Sequence, residues 1–199
     1  MDPNREMEIG AQCHDTQEAF KEYHEYIKSA LASLEKGLLI DLHGRGKSDG
    51  VTQLGYCLSK EVLKNKDEHD LKHSSICNIG DKDPDALKGS HSLGAFLQNE
   101  GLKAVPSPAY PVPASGENSH FFFSIEIIDF PFLSEDVYFA GGFITRQHHN
   151  KLGIDAIQIE TPRDLRIEEG EEGRRRFGHA LGKAISQFYH FHFKESLME

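Results

Sequence analysis

The stretch LLIDLHGRG, residues 38–46, carries the reading of the fold. Leu38, Leu39 and Ile40 form an aliphatic run that then changes character at Asp41 and His43, before Gly44 and Gly46 open the chain into a turn. An unbroken aliphatic run bounded by glycine reads as a buried strand over Leu38–Leu42. Side chains alternate across a strand, so Asp41 and His43 share one face. A strand has no packing reason to end on that polar pair. Its end is therefore a candidate site, with His43 as a potential metal ligand whose second ring nitrogen a neighbour would hold. The plain alternative is a strand-end histidine bonded to a nearby loop.

Upstream, Asp15 with Glu18 three residues on reads as a capping box. Phe20, Tyr23, Ile27, Leu31 and Leu34 recur at helical spacing, and Gly37 is a stop signal. A helix leading directly into an aliphatic strand predicts an α/β layer. Downstream, residues 58–73 are charged and helix-compatible, and Ser90–Glu100 predicts a short helix with Leu93, Phe96 and Leu97 inward. PSPAYPVP, residues 106–113, cannot be a helix or a central strand and predicts a stiff surface loop. YFAGGFITR (residues 138–146) and IDAIQIE (residues 154–160) read as two further strands. A long helix from about Glu171 to Phe191 sets Phe177, Leu181, Ile185 and Phe188 on one face. The expected architecture is a three-layer α/β/α fold with a mixed, partly parallel sheet, whose sites lie at carboxyl strand ends.

The 199 residues suit one domain. Lys plus Arg number 22 against 32 Asp plus Glu, a formal charge of −10. That balance argues against a nucleic-acid partner and against steering toward anionic membranes. Residues 121–132 are the most apolar stretch, but Glu126, Asp129 and Pro131 interrupt them and they are too short to span a bilayer. Three cysteines without CxxC spacing, and no basic-then-apolar leader, point to a reducing, cytoplasmic setting.

Other chemistry-bearing residues each carry two readings. Glu160, at the end of a predicted strand, can take a proton from an activated water or pair with Arg163 or Arg166. In GGFITRQHH, Arg146 can fork onto a carboxylate and the glycines can admit a ligand; alternatively the glycines form a bulge and His148 and His149 a wet loop. His69 and His73 stand four apart, but in a segment charged all round, which favours a solvated helix. His190 and His192 fall on different helix faces. Arg174–Arg176 balance the acidic EEGEE as a solvated face. No P-loop, GxGxxG or GxSxG motif is present.

DLHGRG, SLGAFL, AVPSPAYPVP, YFAGGFITRQHH and IDAIQIETPRDLR, in this order, resemble the N-formylglutamate amidohydrolase-like family over nearly the whole chain. That family is similar in fold and site to the zinc carboxypeptidases and aspartoacylases. The resemblance implies a zinc-exopeptidase (phosphorylase/hydrolase-like) fold and hydrolysis of the amide of a small N-acyl amino acid such as N-formyl-glutamate. It implies zinc as cofactor, His43 as its third ligand and Glu160 as the general base. It implies Asn4 and Arg5 as substrate-binding residues, and Arg146 as a second carboxylate clamp. The family's first two zinc ligands precede its Asn-Arg pair, whereas here Asn4 is the fourth residue. Residues 115–136 also intervene where the family's proline loop runs quickly on. Both departures suit a single amidohydrolase-like domain lacking its N-terminal ligand-bearing elements. The expectation is then that the chain, with His43 alone of the family's ligand set, holds no stoichiometric zinc at neutral pH and is inactive on N-formyl-glutamate. Two rivals stand beside the enzyme: a catalytically incomplete paralogue that binds substrate-like amino acids, and an interaction module using residues 121–132 as a partner edge strand. The oligomeric state is not legible.

Overall fold

The aliphatic run around Ile40 is a strand in the computed structural model, which describes residues 14–64, 72–113, 138–149 and 153–194. The strands are β1 (Gly37–Gly44), β2 (Val51–Gly55), β3 (Lys103–Val105) and β4 (Ile154–Thr161). The helices are α1 (His14–Leu31), α2 (Lys60–Lys64), α3 (Cys77–Gly80), α4 (Leu93–Asn99), α5 (Phe143–His148) and α6 (Gly170–Phe193). A 3-10 turn covers Pro84–Ala86 and a π-helical turn Asp164–Glu168.

The sheet order is β1-β4-β2-β3. β1 runs parallel to β4, β2 parallel to β3, and β2 antiparallel to β4. The chain is thus mixed α/β around a mixed four-stranded sheet, as the aliphatic run and the helix periodicity imply. Every residue of β4 is buried, which matches its inner position. β1 is an edge of this sheet, and its Leu42 is 60 % exposed. Ile157 and Ile159 of β4 point into the apolar core with Leu54, Leu97, Phe177, Leu181 and Phe188, so α4 and α6 cover that face. Gln158 and Glu160 alternate to the opposite face, where α5 lies.

Several elements differ from their expected form. The helix expected over residues 58–73 is described only as the short α2, since residues 65–71, with His69, lie outside the described set. On α1 the inward stripe is Phe20, His24, Ile27 and Leu31, while Tyr23 and Leu34 are exposed. The strand expected at YFAGGFITR is instead an extended segment, residues 138–142, followed by α5. Ile144 and Thr145 are β-branched and favour strand locally. Tertiary contacts of α5 override that preference: Thr145 donates to Asp41 and His148 stacks on His24.

Gly141 of this segment lies against Cys57. Gly141 has φ +141°, and a Cβ there would come within 3.0 Å of Cys57 Sγ. The Cys57 amide donates to the Ala140 carbonyl at 2.6 Å, and the Tyr138 hydroxyl donates to the Leu54 carbonyl at 2.7 Å. The segment is therefore sewn along the end of β2. Residues 106–113 form neither helix nor strand, as their prolines dictate. Among the described residues, no helix is long and apolar enough to cross a membrane. The apolar stretch 121–132 lies outside the described residues.

Candidate functional site

β1 and β4 place the site. Their parallel register pairs Asp41 with Gln158 and His43 with Glu160. Partners directly opposite in a ladder project to the same side, so the two polar residues of each strand end share one face. His43 and Glu160, separated by 117 positions in sequence, become neighbours at the carboxyl ends of adjacent strands.

Asp41 is buried and sits at the hub. Its Oδ1 lies 2.8 Å from His43 Nε2, and its Oδ2 accepts from the Thr145 hydroxyl at 3.3 Å. An ionised carboxylate only accepts, so Nε2 of His43 carries the proton in this contact. His43 Nδ1 then faces the Glu160 carboxylate, 4.0 Å from Oε1. The His43 side chain is 26 % exposed while that of Glu160 is 6 % exposed, so the imidazole forms the wet edge of the site and the carboxylate its floor.

Gln158 donates through Nε2 to the same Glu160 oxygen at 2.6 Å. Burial pushes the Glu160 carboxyl above the ordinary carboxylate range, against the pull of His43 and the Gln158 bond. Neither arginine weighed as its partner takes that role: Arg163 pairs with Glu168, and Arg166 donates to the Arg45 carbonyl. The Arg166 guanidinium lies over Gly44, where a Cβ would stand 2.4 Å from its Nε. The glycine after His43 thus makes room for an arginine as well as a turn. Arg45 is buried, bonded to Asp49 and to the Val51 carbonyl, and closes the loop that follows the site.

Arg146 neighbours Thr145 on α5 and is exposed, with one guanidinium nitrogen donating to the Gly141 carbonyl at 2.6 Å. Asn4 and Arg5 lie outside the described residues. His148, weighed as part of a wet loop, is instead 1 % exposed. Its Nε2 is 2.8 Å from His24 Nδ1, the two rings stack at 5.1 Å, and Phe20 and Phe143 pack beside them. This cluster docks α1 on α5. Thr145 and Gln158 are the members of the site that sequence reasoning left without a role. Alternation does put Gln158 beside Glu160, but nothing in one dimension links Thr145 to Asp41.

His43 fits the part of a zinc ligand, because a carboxylate behind one ring nitrogen fixes the tautomer that presents the other. Glu160 suits a base better than a second ligand. Two donors on one tetrahedral zinc stand roughly 3.4 Å apart for bonds of about 2.1 Å, closer than the 4.0 Å seen here. Among the described residues, no group of three or more His, Cys, Asp or Glu side chains is already set to hold a metal ion. In comparisons with known proteins, no family model, no curated protein and no solved structure matches the chain.

Proposed function

We propose that this chain is of the metal-dependent amidohydrolase type, with a zinc-exopeptidase-like fold, acting on the amide of a small N-acyl amino acid such as N-formyl-glutamate. The observation that carries the reading is the in-register pairing of His43 with Glu160, with Asp41 behind the imidazole. The motif resemblance supplies the substrate class.

In this reading His43, oriented by Asp41, contributes to holding zinc, whose chemistry is to polarise the acyl oxygen and acidify water. Glu160 removes a proton from the attacking water and returns it to the departing amide nitrogen. The products are formate and the free amino acid. The raised carboxyl pKa of Glu160 suits the first step, since a stronger base takes the proton more readily. Arg146 offers its remaining N–H groups to a substrate carboxylate. Asn4 and Arg5 take the substrate-binding roles that the resemblance implies.

A second reading, a module that binds the N-acyl amino acid without turnover, draws on the Gln158 bond. The Glu160 oxygen facing His43 is already engaged.

Formate release from N-formyl-glutamate, measured with zinc supplied, separates the two. Turnover that falls about 10²–10⁴-fold in Glu160→Gln is the expected result for a general base. Unchanged turnover in that variant removes Glu160 from the mechanism. Arg146-dependent binding without formate release supports the module, and neither binding nor release refutes both readings.

A further inference from the structure

β1 is a sheet edge that the described residues leave open. Its eight residues pair with β4 on one side, and among the described residues no strand pairs with the other. Edge strands are ordinarily guarded by a lysine, a proline or a bulge. β1 has none of these: its ladder with β4 is unbroken, and its polar side chains, Asp41 and His43, are turned into the site.

The flank beneath this edge is apolar and uncovered. α6 runs antiparallel to β1 and is tied to it at both ends. The Lys36 ammonium, at the start of β1, donates to the Phe193 carbonyl, and Arg166, just ahead of α6, lies over Gly44. α4 takes the far flank of α6, where Lys183 pairs with Glu100. The flank toward β1 carries Tyr189, Ile185, Gly182 and Gly178 at helical spacing. Leu42 stands about 17 Å along the strand from Gly37, and the same length back from Phe193 is about eleven helical residues, which reaches Gly182. Gly182 and Gly178 have no side chain to offer, and among the described residues nothing stands within 4 Å of where a Cβ would be. Leu42 is left 60 % exposed for this reason, and Ile167, in the turn before α6, extends the apolar patch.

The longest internal stretch outside the described set, residues 114–137, opens after β3 and closes at Tyr138, which is bonded to β2; β4 stands between both ends and β1. The sequence of β1 itself supplies a match for its edge. Antiparallel pairing about Ile40 sets Leu38 opposite Leu42 of a second copy, Ile40 opposite Ile40, and Leu42 opposite Leu38. The row on the core face is then aliphatic throughout. On the other face Gly37 comes opposite His43, which leaves the imidazole open, and Leu39 comes opposite Asp41. No like charges meet in this register. We infer that β1 is a dimerisation edge, through which two copies of this chain join antiparallel about a two-fold axis at Ile40. The two four-stranded sheets become one, and the symmetry uses up both β1 edges, so that assembly through them stops at two.

This inference is independent of the proposed function, and its test needs no turnover. The 199-residue chain is examined by sedimentation velocity at micromolar concentrations. The parent should sediment as a dimer, at twice the 22.4 kDa of one chain, and its melting temperature should rise with protein concentration. Leu42→Lys changes an exposed position and should keep the circular dichroism of the parent. It should weaken the dimer at least ~100-fold, because each copy then sets an ammonium group against Leu38 of the other. Ile40→Cys should form an interchain disulfide above the background of the parent, since directly opposed residues stand about 4.5–5.5 Å apart at Cα. Leu42→Cys should not, because its two copies lie about 13 Å apart along the strands. A parent that stays monomeric, whether a segment of its own fills the edge or nothing does, overturns the proposal. So does a dimer that persists in Leu42→Lys, or a disulfide at position 42 without one at position 40.

Discussion

Asp155 makes the stability of this protein depend on pH in a direction opposite to that of most carboxylates. It lies on β4 with no exposed surface. Its Oδ1 accepts from the Asn78 amide at 3.0 Å and from the Asn78 side chain at 3.2 Å, while Oδ2 is buried with no partner. Burial pushes its pKa up to about 6, from an ordinary 3.8. A folded pKa above the unfolded one means that the folded state binds the proton more tightly. The resulting stabilisation is complete below about pH 3.8 and lost as pH rises through about 6. The difference between those two values, converted at about 1.4 kcal/mol per pH unit, is on the order of 3 kcal/mol. Asp155→Asn keeps an acceptor for Asn78 and removes the titration. Urea unfolding of both proteins between about pH 4 and pH 7 isolates the effect, because every other group titrates alike in the two and cancels in the difference. The stability of the parent relative to the variant should fall by most of that ~3 kcal/mol as pH rises. A flat difference, or one that grows with pH, would refute the burial argument.

Two further substitutions test the packing of α4 and α6. Gly94→Ala adds a Cβ 2.2 Å from the Pro106 carbonyl oxygen and 2.7 Å from Ser107 Cβ; despite alanine's better helix propensity it should destabilise by about 1–3 kcal/mol, read as a lower urea midpoint, and an unchanged midpoint would mean that the 106–107 backbone is free to move. Phe188→Ala empties a fully buried position in the core that α6 shares with Leu54 and Ile157; it should cost about 3–5 kcal/mol, and a loss under ~1 kcal/mol would show that the core is not closed there.

What could be read from the residues alone depended on how long each pattern runs. β4 is a run rich in aliphatics bounded by Gly153 and Pro162, and α6 repeats its apolar positions over 24 residues, so both stand out. β2 has five residues and β3 three, too few for any period to emerge, and neither was expected. The 138–148 region misleads because Phe143, Ile144 and Thr145 have strand preferences and the contacts that make them helical come from Asp41 and His24, over a hundred positions away. For the same reason alternation could bring Asp41 beside His43, and Gln158 beside Glu160, but could not bring the two pairs together. That required β1 and β4 to be neighbours, and strand order is a property of the whole chain.

The polar face of β1 and β4 also bears on what the site is for. Asp41, Gln158 and Glu160 are each buried to 8 % exposure or less, on the face of the sheet opposite the core of Leu54, Ile157 and Phe188. Aliphatic residues at these three positions would suit the strands at least as well, since a buried charged network seldom adds stability over a packed apolar one. The network instead needs Thr145 on Asp41, Asp41 on His43 and Gln158 on Glu160 to keep its members bonded. Even so, the Gln158 Oε1 atom is buried without a partner. A fold under pressure for stability alone has no use for such an arrangement. A site that must hold an imidazole in one tautomer opposite a carboxylate of raised pKa does, because both properties come from the burial and bonding that make the face costly.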